Sequence, residues 1–569
     1  MPSYKLSPFA AFVESRLFEA APQYAVFHRL TGHLLEPLPP VGALLQAAKI
    51  GAPLSLDPDE LNKLGEPGYQ VLKLIEWELL IPPAHDPWAS FVNHYVNRPI
   101  QNPAFSYKDG NGKVFVVSIS MAELVYSPET GKLPQVIEET FPELVTEVLL
   151  AADGTKTLRE IHSMVRRDSK SPLDNPEFVD AIDFLTRPAR QLIKFAPTIE
   201  GFADPFYPAN LIPRNLYHAA RWAVREPEKS IGDFHLEGID DALWEFDIIE
   251  PTVNHGLRFP TQLLSGKDYG TRFCDAVFEN ISDVVKAGGH VEILEVGGGT
   301  GTFARSFIKQ AQTKIKSLSY QIMDLSPALA ESQRQILTGV QPAVGYVNQD
   351  ATKLSLPGRS FDLIVSNEVI ADFPVAVAKR HSDNENSAQF IGDGAIYIDK
   401  YSLDCADAPE RFFVNSGVFQ FLERAWSHLN PGGVLVLSEY GAISLYPAES
   451  FHLNHSEYSI HFGHVAQCAR KIGFECRLEL LTEFLGIDDE CPVLVGREEH
   501  ICCLNYILER RGRTLPFGLF SKADFENQFG DLAASLSLNP IRFLPLRTKF
   551  HYGPNLGDFF VLTLRKPGV

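Results

Sequence analysis

The stretch VEILEVGGGTGTFARSFI, residues 291–308, decides the fold. An apolar run of strand character ends at Val296, a glycine-rich turn follows, and a helical pattern begins at Thr302. A strand, a glycine turn and a helix in this order predict a βα unit whose turn lies against a nucleotide-like ligand. The glycines Gly297, Gly299 and Gly301 stand as G-x-G-x-G. A dinucleotide fingerprint would read G-x-G-x-x-G, and a Walker loop would end in Gly-Lys-Ser/Thr; neither is present. The carboxylate of Glu295, two residues before the first glycine, would repel a pyrophosphate. It suits a ligand carrying an ammonium and a sulfonium, as S-adenosylmethionine (SAM) does.

Outward from this stretch, strand and helix patterns alternate: SYQIMD (319–324), a helix, AVGYVNQDA (343–351), FDLIVSNEV (361–369), a long helical region, and GGVLVLSEYG (432–441). Alternation of this kind predicts a parallel sheet covered by helices. SYQIMD ends at Asp324, placed to accept from ribose hydroxyls, with Leu325 beside it. Asp350 and Ala351 follow the third strand, where a carboxylate reaches an adenine amino group. Asn367 closes the fourth. The chain's last strand-like runs, IRFLPL and FFVLTLRK, flank a Gly/Pro/Asn turn, which predicts an antiparallel hairpin at the sheet edge.

These segments resemble the MidA-type SAM-dependent methyltransferases over roughly residues 250–490. The resemblance is carried by SYQIMDLSPALAESQRQIL, FDLIVSNEVIADFPV, GGVLVLSEYG and SIHFGHVAQCARKIGFECRLELLTEFLGI. It implies a Rossmann-like α/β fold of class I with a seven-stranded sheet. The family, which includes the mitochondrial complex I assembly methyltransferase acting on a protein arginine, implies SAM as cofactor and a side-chain nitrogen as acceptor. Its Asn-Glu-x-x-Asp-x-x-Pro-Val pattern falls, with a compressed gap, on Asn367, Glu368, Asp372, Pro374 and Val375. Its Asp-Tyr-Gly falls on Glu439, Tyr440 and Gly441. Its His-Val-Asp-Phe segment falls on Ser459, Ile460, His461 and Phe462, a departure that leaves the acceptor group open.

Methyl transfer needs a nucleophile held in line with the methyl–sulfur bond and water kept out. Glu368 and Asp372 follow the fourth strand and share a face if that segment turns helically. Paired carboxylates of this kind hold a planar guanidinium and take its proton late. Tyr440 borders the same region, and His461 is a candidate base, although a lone histidine is more often structural.

The first two hundred residues repeat one plan: a helical pattern, a polar break, a second helical pattern and a short strand, Leu79–Ile81 in one copy and Leu192–Phe195 in the other. They divide into winged-helix-like modules over 1–95 and 96–205, ahead of a methyltransferase domain over 206–569. In the second, Thr157 and Glu160 are spaced as a capping box. This module resembles the PqqD-like winged-helix fold, whose members bind leader segments of ribosomally made peptides. The resemblance implies a peptide or protein substrate gripped away from the reacting residue; packing or homodimerisation is the alternative use.

The chain has 569 residues, 51 basic and 71 acidic, for a net charge of −20. That balance argues against nucleic-acid binding and is compatible with a cationic substrate. The N-terminus reads poorly as a signal peptide, no apolar run is long enough for a membrane span, and all seven cysteines lie beyond residue 270 without a C-x-x-C. Reduced thiols in a cytoplasm and no metal site are expected. Two other readings stand beside peptide N-methylation: methylation of a small metabolite, and a non-catalytic assembly factor that keeps the SAM fold.

Overall fold

The computed structural model describes residues 2–568 apart from 16–22, 29–33, 36, 62, 86–97, 102–103, 110, 120–135, 153–155, 167–171, 187–191, 197–251, 282–288, 381–389, 453–454, 496–497, 517, 534, 539–540 and 549–552. The domain boundary expected near 206 lies outside the described residues.

The chain forms two compact units. One holds Arg225–Val495, Pro516–Gln528 and Phe543–Val569. Its large sheet contains, numbered here in chain order, β1 (His290–Val296), β2 (Ser317–Asp324), β3 (Gly345–Asn348), β4 (Phe361–Asn367), β5 (Leu429–Ala442), β6 (Glu475–Leu480) and β7 (Phe559–Arg565). They lie in the order β3-β2-β1-β4-β5-β7-β6, and an eighth short strand, Ile460–His461, pairs with the far end of β5. The first five are parallel; β7 runs antiparallel to both its neighbours. Order reverses between β1 and β4, the place where open α/β sheets bind ligands beyond their carboxyl ends.

Strand residues alternate between two cores. Val291, Ile293, Tyr320, Ile322, Leu363 and Val365 face α1 (Tyr269–Asn280) and α2 (Thr302–Lys314). Leu294, Val296, Met323, Ile364 and Leu435 face α4 (Ser416–His428) and α5 (Phe462–Ile472). Both faces are apolar because helices cover both. A further helix, α3 (Pro327–Ile336), follows β2 and is capped by Ser326, whose Oγ accepts from the Leu329 N–H.

The terminal hairpin expected at the edge does not form. Arg542–Pro545 pairs with Pro492–Val495, and β7 lies between β5 and β6. The reason is in β7 itself: Val561, Leu562 and Leu564 are all fully buried, so consecutive residues are apolar on both faces, the pattern of an interior strand.

The other unit holds Met1–Val224 with Gly496–Leu515 and Phe529–Arg542; two late segments assigned above to the methyltransferase range thus belong to it. It has two cores. Tyr4, Val26, Leu45, Val71 and Leu74 make one. Phe9, Val116, Val148, Ile161 and Ile182 make the other. Around the second lie helices Glu143–Ala151, Leu158–Arg166 and Pro176–Thr186. A four-stranded sheet, Val136–Glu139, Val114–Ile119, Ala104–Lys108 and Leu536–Leu538, completes the unit with a strand from the late segment. The capping box is present: the Thr157 N–H donates to Glu160 and the Glu160 N–H to the Thr157 hydroxyl.

Candidate functional site

The glycine loop requires its glycines. Gly297 has φ 72°, and a Cβ there would stand 2.1 Å from Val369 Cγ2. Gly301 has φ 91° where it caps α2, with the Gln333 backbone 3.1 Å from a built Cβ. At Gly299 nothing lies within 4 Å of that position, so the loop is packed on its inner side and open at its tip.

Glu295 is 3 % exposed at the end of β1 and accepts from the Tyr320 hydroxyl at 3.0 Å. Burial, opposed by that bond and aided by the nearby Asp324 charge, pushes its carboxyl up to about 8. Asp324 is buried at the end of β2 and is braced on both oxygens, by the Ser326 N–H at 2.9 Å and the Gln333 amide at 2.8 Å. The same Gln333 amide donates to the Gly299 carbonyl at 3.0 Å, which ties the second strand end to the glycine loop. Leu325 is partly exposed, and its carbonyl accepts from Asn348. Asp350 accepts from Thr352 and pairs with Lys353 at 2.9 Å; burial pushes its carboxyl up, but these partners prevail and hold it low. Ala351 is buried behind it.

The chemistry of these residues suits a cationic ligand with hydroxyl donors, such as SAM. Glu295 and the braced Asp324 place carboxyl groups at two successive strand ends, and the glycine loop is open at its tip.

The ends of β4 and β5 form the other half. Asn367 accepts from the Tyr269 hydroxyl at 2.6 Å and donates to Glu368 at 2.9 Å. Glu368 takes a left-handed φ of 55°, and Ile370–Asp372 is a 3-10 turn. Glu368 and Asp372 therefore do not share an α-helical face. The Glu368 carboxylate instead accepts the Val253 N–H at 2.8 Å and the Asn254 N–H at 3.4 Å. Burial, only partly offset by those amides, raises it to about 7, with Glu457 adding repulsion.

Glu439, 4 % exposed, accepts from the N–H groups of Tyr440 and Ala371. Burial raises it well above the usual carboxylate range; the Tyr440 amide opposes, and the charges of Glu368, Glu457 and Asp372 raise it further. Glu457 comes from the hairpin Glu449–His452 / His455–Tyr458. Four carboxylates thus converge where the sequence pointed to two.

Tyr440 is 48 % exposed beside Phe559, and Ile443 and Leu445 after it are also exposed. His461 is buried, caps α5 through Nδ1, which accepts the His464 N–H at 3.2 Å, and stacks on the His464 ring at 3.6 Å. Burial, with His464 adding to it, lowers it to about 4, so its ring is neutral near pH 7.

A doubly wound sheet with this loop, and carboxylates at successive strand ends, is the framework of a SAM-dependent methyltransferase. Residues 274–446 match the family model described as "Putative S-adenosyl-L-methionine-dependent methyltransferase"; the chain is an enzyme of this class, and SAM is its cofactor. Among solved structures, a Burkholderia thailandensis protein bound to S-adenosyl-homocysteine (SAH) is similar, at 14 % identity and a TM-score of 0.31, over 59 % of this chain and 92 % of its own. A SAM-dependent methyltransferase from Clostridium acetobutylicum is similar at 11 % identity and a TM-score of 0.26, over 54 % of this chain and 96 % of its own. Values this low leave the reading of the site to its own residues. No curated protein matches the chain. Among the described residues, no helix is long and apolar enough to cross a membrane, no group of three or more His, Cys, Asp or Glu could hold a metal ion, and six cysteines are free.

Sequence reasoning passed over Gln333, Tyr320 and Asn254, and it did not bring Glu439 and Glu457 together with Glu368 and Asp372. Glu439 stood inside the Asp-Tyr-Gly correspondence and was legible as a strand-end carboxylate. Tyr320 reaches Glu295, Gln333 reaches Gly299 and Asn254 reaches Thr302 across 25 residues or more, distances no local pattern encodes.

Proposed function

We propose that the chain N-methylates a cationic side chain, arginine first among the candidates, of a peptide or protein, and that the front unit grips that substrate. The observation that carries this reading is Glu439, a buried carboxylate surrounded by Glu368, Glu457 and Asp372. Several carboxylates crowded into a desolvated site are costly unless a cation answers them. A guanidinium presents that charge with donors in a fork that carboxylates match.

SAM supplies the activated methyl group. Asp372 and Glu439 fix the plane of the acceptor and lower the cost of exposing its nitrogen lone pair. As the new N–C bond forms, the methyl–sulfur bond breaks to leave SAH, and the N–H proton passes to an ionised carboxylate, Glu439 or Asp372. The exposed Tyr440, Ile443 and Leu445 offer an apolar lip for residues flanking the acceptor. The PqqD-like resemblance of residues 96–205 supports a peptide substrate.

The test is methyl transfer from isotopically labelled SAM to peptide pools containing arginine, lysine or neither, read by mass spectrometry. Label on the guanidinium group is expected. Transfer only to uncharged acceptors ends the reading.

A further inference from the structure

We infer that residues Thr252–Leu257 are a strap that closes one side of the cofactor cleft, and that Glu368 and Asn254 latch it. Asn254 touches both walls of the cleft. Its backbone N–H donates to Glu368, just past the end of β4, and its side-chain amide donates to Thr302 Oγ1 at 3.0 Å, at the first residue after the glycine loop. The Val253 N–H adds the 2.8 Å bond to the other Glu368 oxygen. Thr252 caps the short turn by accepting the His255 N–H.

Beyond the turn, the strap is fixed to α1. The Leu257 carbonyl accepts the Tyr269 N–H, and the Tyr269 hydroxyl returns to Asn367 beside Glu368. The strap thus runs from β4 to the loop that follows β1, the two strands between which the sheet order reverses.

Glu368 acquires a specific work from this geometry. Both carboxylate oxygens point at strap amides and one also at Asn367, so it positions the strap and does not grip the acceptor. Its left-handed backbone, uncommon for a residue with a side chain, turns it from the strand line toward those amides. Ligands that enter between the strand ends pass this strap, so its two latches govern how fast SAM enters and SAH leaves. The inference is independent of what the acceptor is.

The experiment uses the full chain with SAM and SAH themselves. Asn254→Ala and Glu368→Gln are expected to speed SAH dissociation, followed by stopped-flow, about tenfold, the scale of one lost hydrogen bond, while each variant keeps a cooperative thermal transition. A role confined to folding would lower the melting temperature and leave the dissociation rate as it was. Unchanged SAH dissociation in both folded variants overturns the inference.

Hydrogen exchange on the unmodified chain gives a second measurement that needs no variant. The Val253 and Asn254 amides should exchange more slowly under saturating SAH than without it. Equal exchange in the two states also overturns the strap.

Discussion

The β1–β2 end of the sheet, proposed to hold the cofactor, and the β4–β5 end, proposed to hold the acceptor, both gather carboxylates, yet they hold them differently. At β1 and β2, Glu295 and Asp324 are braced by side chains: a tyrosine hydroxyl and a glutamine amide, together with one backbone amide. At β4 and β5, Glu368 and Glu439 are held mainly by backbone N–H groups and repel one another. Braced carboxylates make a pocket of fixed shape, suited to one cofactor. Carboxyls that crowd each other hold their protons more tightly and ionise when a cation arrives, which suits a charged ligand.

Glu439→Gln is the sharpest way to break this contrast. It keeps the shape and the oxygen for one backbone bond and removes the ability to ionise. If the acceptor end works by charge, kcat should fall by roughly 10²–10³-fold, the scale of losing a positioned acid–base group, with SAM affinity altered less than about threefold, well below one hydrogen bond. Calorimetry with SAM beside single-turnover rates reads both. A near-normal rate would shift the proton to Asp372.

Asp324→Ala addresses the other half. It removes a carboxylate that Gln333 and Ser326 hold in place, so it should weaken SAM by ~1–3 kcal/mol and leave the kcat at saturating SAM within about twofold, since uniform binding affects KM. A drop in kcat alone would mean that the two halves are not separable.

These two residues also show what was legible in the chain. Asp324 could be placed from sequence because a strand, its last residue and the next helix are contiguous. Glu439 could be placed at a strand end, but its neighbours could not. Glu457 arrives on a hairpin, and Glu368 turns toward a strap more than a hundred residues earlier. The parallel sheet was readable because each βα unit announces itself locally. The position of β7 was not, since Phe559–Arg565 pairs with strands distant in the chain and a turn signal before it suggested the nearer partner. The helical reading of Glu368–Asp372 failed for a local reason: the chain leaves β4 through a left-handed residue and a 3-10 turn.

The contrast can be sharpened by pH. A carboxyl whose folded value lies above its unfolded one binds its proton more tightly when folded. Its contribution is therefore fully present below the unfolded value and is lost as pH rises toward the folded one. For Glu295, raised to about 8, and Glu368, raised to about 7, the ligand-free chain should lose stability between about pH 4.5 and 8. A cation bound near Glu295 favours its ionised form. SAM should then bind more tightly as pH rises through that range, with release of a proton visible as a buffer-dependent calorimetric enthalpy. Glu295→Gln should flatten the upper part of this dependence, near pH 8, and leave the part near 7. A wild-type affinity independent of pH would mean that the bound cation does not sense Glu295.

The smallest effect is expected at His461, which marks the limit of the acceptor end. Its Nδ1 accepts the His464 N–H at the start of α5, its ring stacks on His464 and meets Tyr446 edge to face, and burial keeps it neutral at ordinary pH. A base with a conjugate-acid value of about 4 is a weak proton acceptor at pH 7, and its ring nitrogen nearest the backbone is already engaged. His461→Gln should therefore cost stability, by ~0.5–2 kcal/mol for a helix cap, while changing kcat less than about threefold, far below the usual acid–base contribution. The pH–rate profile should also keep its shape, because the group does not titrate across the working range. Denaturant unfolding and a pH–rate series on the same variant separate the two roles. A large loss of rate with an altered profile and unchanged stability would move the base from the carboxylates to this histidine, and the acceptor end would no longer be a site that works by negative charge alone.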